Sequence, residues 1–150
     1  MTVKASARGP GSAAALAKAT TRAVPELEVF LTRYLTAAFD PDAARAGFPG
    51  FSRFFDPGLR QAVVRDLASL SLGRAGGNLT EVRTEPANAS TVFLIEGARP
   101  LAATVVLSMR GSASGPAGRT PISLSSTLQL ERGPHGWRIA SYDSRAQVPA

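Results

Sequence analysis

The spacing of apolar residues changes halfway along the chain, from a helical repeat to alternation. Between residues 25 and 39 the apolar positions recur every three or four residues, which predicts an amphipathic helix with one wide stripe facing the core. Pro25 suits the first turn of a helix, and Glu26 and Glu28 lie where the helix dipole favours negative charge, so the predicted helix begins at Pro25. The stripe consists of Leu27, Phe30, Leu31, Tyr34, Leu35 and Ala38.

Two shorter helical segments are predicted next. Asp40, followed by a proline, can cap a short helix that runs through Ala46, and the glycines and proline of residues 47–50 end it. The following segment has three phenylalanines within five residues, which is too apolar a group to remain in water. Phe51, Phe54 and Phe55 are therefore predicted to form a short helix that plugs one end of the core.

A third main helix is predicted from Asp56 to Gly73. The Asp56 carboxylate can accept amide hydrogens of the next turn, Pro57 fills the first helical position, and Gly73 supplies the stop. Apolar residues follow at helical spacing between these ends, namely Leu59, Val63, Leu67 and Leu70. With the segment that ends at Ala46 counted as a single helical turn, the first half of the chain is therefore predicted to contain three helices.

The second half consists of five short runs rich in β-branched and aromatic residues, separated by turn residues. Alternation within the runs is typical of antiparallel strands that bury one face. Residues 111–118 are predicted to be a flexible hairpin loop, and residues 132–136 a tight turn. The predicted strands lie within residues 78–86, 90–97, 101–111, 120–132 and 136–143.

Charge is distributed unevenly along the chain, which has a net charge of +6. Four basic residues precede the first acidic residue, Glu26, so the remainder carries 13 of the 17 basic side chains against all 11 acidic ones. A nearly neutral domain without a basic stripe argues against a nucleic-acid reader. The glycines and proline of residues 9–11 predict disorder over residues 1–11, followed by a frayed helix capped by Ser12 or by a linker. Residues 1–24 are thus predicted to be a flexible basic leader.

Length and composition limit the remaining possibilities. A chain of 150 residues is expected to form one domain, here residues 25–145, with residues 146–150 as a disordered tail. No run approaches the roughly 18 consecutive apolar residues of a membrane-spanning helix, and the N-terminus lacks the apolar core of a signal peptide. The chain has no cysteine, so disulfides, thiolate metal sites and cysteine nucleophiles are excluded.

The closing hairpin resembles that of the nuclear transport factor 2-like superfamily. The pattern is carried by Leu128, Leu130, Gly136, Trp137, Ile139 and Tyr142, and two further stretches, residues 25–39 and 51–64, resemble the same group. The resemblance implies an α+β fold in which three N-terminal helices pack on a strongly curved, cone-shaped antiparallel sheet of four to six strands. The fold hosts isomerases, dehydratases, cyclases and non-catalytic modules, so it does not specify a function.

Within that superfamily the chain resembles most the extracytoplasmic domains of bacterial accessory proteins, namely Mce-associated proteins and components of conjugal transfer or type IV secretion. Those domains follow a transmembrane anchor, and a basic juxtamembrane stretch precedes their first helix. The resemblance implies that residues 1–24 lie next to a membrane. It places the protein on the extracytoplasmic face of a bacterial membrane if an N-terminal anchor has been removed, and in the cytoplasm otherwise.

No set of residues in the chain is typical of catalysis. The single histidine, His135, lies in a predicted turn and is expected to face water, which argues against a His/Asp dyad. Asp66 lies on the flank of the third helix next to Arg65, where a surface ion pair is the simpler interpretation. No catalytic residue, metal ligand set, phosphate loop or cofactor is predicted.

Three functional hypotheses remain, and the first is favoured. One is a non-enzymatic interaction module that binds protein partners or copies of itself within a membrane-associated transport, secretion or conjugation complex. Another is a small-molecule binder or an enzyme of the SnoaL-like cyclase or isomerase kind, which would use a cavity in the cone. A third possibility is a dimerisation domain without a ligand. The candidate cavity residues are Phe30, Tyr34, Phe54, Phe55, Asp66 and Trp137.

Tyr34 and Trp137 also have structural interpretations. A tyrosine on the core stripe commonly places its ring in the core and its hydroxyl at the rim. A tryptophan at the start of a closing strand commonly anchors the packing of the sheet. Whether the interior of the cone is filled or hollow distinguishes the first two hypotheses, because an enzyme needs a cavity lined by a polar catalytic group.

Overall fold

The computed structural model describes residues 1–149 and has an α+β architecture, as predicted. A helix-rich segment packs on one face of a six-stranded mixed sheet, and the sheet does not close into a barrel. The helices are α1 (Ala13–Ala38), α2 (Pro41–Arg45), α3 (Arg60–Arg65) and α4 (Leu67–Leu70), with 3₁₀ turns at Phe51–Phe54, Pro57–Leu59 and Arg74–Asn78. The strands are β1 (Thr2–Arg8), β2 (Glu81–Thr84), β3 (Asn88–Glu96), β4 (Arg99–Gly115), β5 (Gly118–Gly133) and β6 (Gly136–Gln147).

The first helix begins twelve positions earlier than predicted, because Pro25 lies inside α1 rather than at its start. Ser12 caps α1 as expected, and its hydroxyl accepts a hydrogen bond from the Ala15 amide at 3.1 Å. An internal proline removes a backbone hydrogen bond and costs about 3 kcal/mol. The alanine-rich run before it offsets this cost, since alanine has the best helix propensity and Ala19 and Ala23 are buried.

The prediction that residues 1–24 form a flexible basic leader is wrong, because this segment contains a strand and the first turns of α1. Residues 2–8 form β1, which pairs in parallel with β3 from Thr2 opposite Asn88 to Arg8 opposite Leu94. Val3 and the two alanines that alternate with polar residues are half-buried against the core, so the strand has an apolar side. This parallel pair makes the sheet mixed, whereas an antiparallel sheet was predicted.

The segment between α1 and the sheet contains the predicted caps. Asp40 caps α2 through a hydrogen bond from the Asp42 amide at 2.8 Å, and Asp56 accepts one from the Gly58 amide at 2.9 Å. The predicted third helix is interrupted at Asp66, where α3 ends and α4 begins. The reason is local, since the backbone of Asp66 leaves helical geometry at a φ of −99° and a ψ of 13°.

The sheet has the order β1-β3-β4-β5-β6, and β2 pairs with the distal part of β4. Residues 111–115, predicted to belong to a flexible loop, are strand, because β2 pairs with Gly111–Ser114 and Ala113 is buried. The tight turn between β5 and β6 is confirmed. The predicted disordered tail is wrong at residues 146 and 147, which belong to β6, and Ala150 lies outside the described residues.

The two faces of the sheet have opposite environments. Side chains that alternate along β3, β4 and β5 are buried on the inner face, under α1 and the aromatic segment that follows it. Their neighbours on the outer face are uncovered. Among residues 1–149, no helix is long and apolar enough to cross a membrane.

Candidate functional site

The space between α1 and the sheet is filled by aromatic rings. Tyr34 is completely buried and stacks on Phe51, with ring centroids 5.6 Å apart and planes inclined by 22°. Phe54 and Phe55 meet the Tyr34 ring edge to face at 5.7 and 6.0 Å. Ring separations of this size are typical of favourable aromatic pairs. The prediction that Phe51, Phe54 and Phe55 plug the core is confirmed.

The Tyr34 hydroxyl has no hydrogen-bond partner among residues 1–149. It is buried rather than at the rim, which corrects the expectation for a core tyrosine. Burial, with a smaller effect of the nearby Tyr142 phenol, raises the pKa of Tyr34 well above its usual value. A neutral phenol of this kind cannot act as a base near pH 7, and it lies in a packed core.

Asp66 lies outside the aromatic cluster and belongs to a hydrogen-bonded network at the surface. The Arg65 guanidinium donates to both of its oxygens at 3.0 and 3.2 Å, and the Tyr142 hydroxyl donates to Oδ2 at 2.8 Å. The Arg65 hydrogen bonds, followed by that of Tyr142, hold the pKa of Asp66 below its usual value. Partial burial and the bond to Asp66 raise the pKa of Tyr142 to about 12. Asp66 is therefore the ion-paired carboxylate that was expected, and it is charged at neutral pH.

A groove of about 800 Å³ lies between α1, the 3₁₀ turn Phe51–Phe54 and the β5–β6 turn. We call it the Trp137 groove. Phe30 and Phe54 meet edge to face at 5.8 Å, and Trp137 is buried next to them, where its ring also packs on Phe93 at 6.0 Å. His135 is exposed in the turn, as predicted, and lines the same groove.

Charged side chains surround the Trp137 groove. Glu26 is paired with Arg132 at 2.9 Å. Arg33 and Arg53 are exposed, line the groove and have no ion-pair partner within residues 1–149. The Arg53 guanidinium lies 5.7 Å from the centre of the Phe54 ring, in the range of a cation–π contact.

The outer face of the sheet carries exposed apolar side chains at its centre. Val92 and Leu94 on β3 are 38% and 48% exposed, and Val106 on β4 is 52% exposed. Val92 and Val106 have uncharged cross-strand neighbours on this face, namely Ser6, Ser90, Thr104 and Thr127, whereas Leu94 lies between Ala102 and Arg8 of the edge strand β1. We call this surface the outer patch.

The charges of the outer face lie on its edge strands and near the ends of its central strands. Lys4 and Arg8 are exposed on the edge strand β1, Asp143 and Arg145 on β6 at the other edge, and Arg110 and Glu131 toward the ends of β4 and β5. An apolar, uncharged centre inside a charged border is typical of the core and rim of a protein interface.

The structure brings together only some of the residues singled out in the sequence. Phe30, Phe54 and Trp137 line one groove, whereas Tyr34 and Phe55 pack in the core beside it. Asp66 lies apart from that groove, against β6.

Sequence reasoning missed the outer patch, the Tyr142 partner of Asp66 and the two groove arginines. A signal for the outer patch was available, because Val105 and Val106 are adjacent and so point to opposite faces of one strand. Tyr142 and Asp66 are 76 residues apart, and no local pattern links them.

Within residues 1–149, no group of three or more histidine, aspartate or glutamate side chains is arranged to hold a metal ion. No protein-family model, curated protein or solved structure matches this chain.

Proposed function

We propose that this protein is a non-enzymatic interaction module, and that its outer patch binds the same patch of a second copy. The observation that carries the proposal is the uncovered outer face, where Val92, Leu94 and Val106 are exposed and only Arg8, on the edge strand, places a charge opposite them. Soluble proteins rarely leave a large contiguous apolar patch in water unless it binds something. A face that pairs with itself forms a closed two-fold dimer, the commonest protein assembly.

The size of the outer face fits this role. The outer face is five strands wide, with neighbouring strands about 4.8 Å apart. Taken over the length of the nine-residue β3, which is about 30 Å, it has an area of about 700 Å². A specific interface of standard size covers about 800 Å² on each partner. Two outer faces packed together would resemble the aligned packing of a β-sandwich.

Packing of the inner face argues against the alternative of an enzyme or cavity binder inside the fold. Aromatic rings occupy the space between α1 and the sheet. The acidic candidate, Asp66, is ion-paired outside that space. An enzyme of the SnoaL-like or isomerase kind would need a polar group in an open cavity there.

We also propose that the fold is a nuclear transport factor 2-like cone with a strongly curved sheet. Support comes from the order of elements, in which a helical segment precedes a meander of long strands that ends in the Trp137 hairpin. The parallel strand β1 is a departure from the expected antiparallel sheet. Assignment to a bacterial membrane-associated complex rests on the resemblance of the sequence alone.

The proposed self-association is tested by analytical ultracentrifugation of the purified chain over a range of concentrations. The wild type is expected to dimerise reversibly. The substitution Val106→Lys places two unpaired charges in the dimer and is expected to raise the dissociation constant about a hundredfold. Val64→Lys is the matched control, because Val64 is 64% exposed on α3, away from the sheet, and should leave the dissociation constant unchanged.

A wild type that remains monomeric at every concentration would contradict the proposal. So would equal weakening by the two lysine substitutions, because that would place the contact outside the outer patch.

A further inference from the structure

We infer that the Trp137 groove is a binding site for a small aromatic carboxylate. The inference is independent of the proposed dimer, because the groove lies on the helix side of the sheet and the outer patch on the other. Its volume of about 800 Å³ falls within the range of small-molecule sites, which is about 300 to 1,000 Å³. The site therefore has room for a ligand larger than a single ion.

The apolar part of the groove favours a flat ring. Phe54 and Trp137 are both buried to more than nine-tenths, and the half-buried Phe30 extends the same surface. The rings of Phe30 and Phe54 pack edge to face on each other at 5.8 Å, so no gap separates them and the half-buried Phe30 offers most of the free ring surface. A planar ring laid on Phe30 from the groove gains apolar burial and offset or edge-to-face contacts.

The charges of the groove favour an anion. Glu26 is engaged by Arg132, and the Asp40 carboxylate caps α2. The Arg33 and Arg53 guanidinium groups have no carboxylate partner within the described chain. A guanidinium presents parallel N–H donors that match a carboxylate, so these two arginines supply the charge complement.

The probe for the test is 4-phenylbutyrate, which has a phenyl ring and a carboxylate on a short chain. Its matched control is 4-phenylbutanol, in which an uncharged CH2OH group replaces the carboxylate. Trp137 is the only tryptophan of the chain, so its fluorescence and its single indole N–H resonance report on the groove directly. The carboxylate is expected to bind saturably and to shift that resonance, with an affinity at least fivefold higher than that of the alcohol.

Three substitutions locate the anion site. Arg33→Gln and Arg53→Gln are each expected to weaken phenylbutyrate binding about threefold, and the double variant about tenfold, while binding of the alcohol stays the same. Arg22→Gln is the control, since Arg22 is an exposed residue of α1 outside the groove, and it should change neither ligand. All three arginines are exposed, so the variants are expected to fold, and thermal unfolding checks this.

Three results would overturn the inference. The first is the absence of saturable binding at millimolar phenylbutyrate. The second is equal affinity for the acid and the alcohol, which would show that the arginines do not select an anion. The third is binding that does not shift the Trp137 resonance and that neither Arg33→Gln nor Arg53→Gln weakens.

Discussion

The inner and outer faces of β3, β4 and β5 differ in what covers them. On β4, Leu107 is completely buried and its neighbour Val106 is half-exposed. On the inner face, α1 and a cluster of aromatic rings fill the available space, so the contacts there hold the fold together. On the outer face, similar apolar residues contact water. Burial on one face thus explains stability, and exposure on the other is the basis of the proposed dimer.

The largest expected effect compares these two neighbours. Leu107→Ala removes buried methyl groups and leaves a cavity, so it should lower the free energy of unfolding by about 3 kcal/mol. Val106→Ala removes exposed methyl groups and should lower it by about 0.5 kcal/mol. Urea denaturation at a protein concentration where the chain is monomeric measures both, and similar losses would mean that the two faces do not differ as described.

A second prediction concerns the edge strand that completes both faces. Gly9 connects β1 to α1 with a φ of +146°, and an added Cβ would overlap the carbonyl oxygen of Ile95. Gly9→Ala is expected to cost about 2 kcal/mol of stability. Gly97→Ala is the control, because Gly97 also has a positive φ, of +57°, but an added Cβ meets nothing within 4 Å, so it should cost about 1 kcal/mol.

Hydrogen exchange identifies where the Gly9→Ala variant is weakened. The amides of β1 should lose protection before those of β4 and β5, because β1 pairs only with β3. Unchanged protection of residues 2–8 would indicate that the strand does not depend on the close approach of Gly9 to Ile95.

A third prediction sharpens the account of the inner face. The buried Tyr34 hydroxyl has no partner in the described part of the chain, so Tyr34→Phe should raise the free energy of unfolding by about 1 kcal/mol. Tyr142→Phe is the control, because it removes the hydrogen bond to Asp66 and should lower stability instead. Destabilisation by Tyr34→Phe would mean that its hydroxyl has an acceptor.

The smallest expected effect is a pH dependence at the junction of β6 and the helices. The pKa of Tyr142 is raised to about 12 in the folded chain from its ordinary value of 10.0. The unfolded chain therefore loses this proton first, and the stability that Tyr142 contributes below pH 10 is lost as the pH rises toward 12.

The measurement compares wild type and Tyr142→Phe by chemical denaturation at pH 8, 10 and 11.5. The advantage of the wild type should be largest at pH 8, slightly smaller at pH 10, where the unfolded phenol is half ionised, and clearly smaller at pH 11.5. A constant difference across the three values would contradict the raised pKa. The lowered pKa of Asp66 has the opposite sign, because its contribution is present above the ordinary aspartate value and is lost as the pH falls through the folded value.

Local patterns explain why much of the fold was predictable. The strands of the second half follow from alternation, and the caps at Ser12, Asp40 and Asp56 follow from the chemistry of their side chains. The strand β1 was missed because two of its three inward residues are alanines, whose alternation with polar residues is a weak signal. Its stability depends on pairing with β3, whose register partners, from Thr2 opposite Asn88 to Arg8 opposite Leu94, are far away along the chain.

The candidate sites were less predictable because they combine distant segments. The aromatic members of the Trp137 groove were singled out from their residue types. The arginines beside them were not, because a surface arginine has no local signature of its role. The helix start at Pro25 failed for a related reason, since burial of Ala19 and Ala23 in the tertiary structure overrides the preference of proline.

The most direct test of the proposed interface uses a single introduced cysteine, since the chain has none. Ser90→Cys places a thiol on the exposed outer face, opposite Val106 across the β3–β4 pair, and Gln61→Cys places one on α3. With a flexible bis-maleimide at dilute protein concentration, Ser90→Cys should give covalent dimers at high yield and Gln61→Cys almost none. Equal yields from the two variants, or no dimer from Ser90→Cys, would contradict a dimer built on the outer patch.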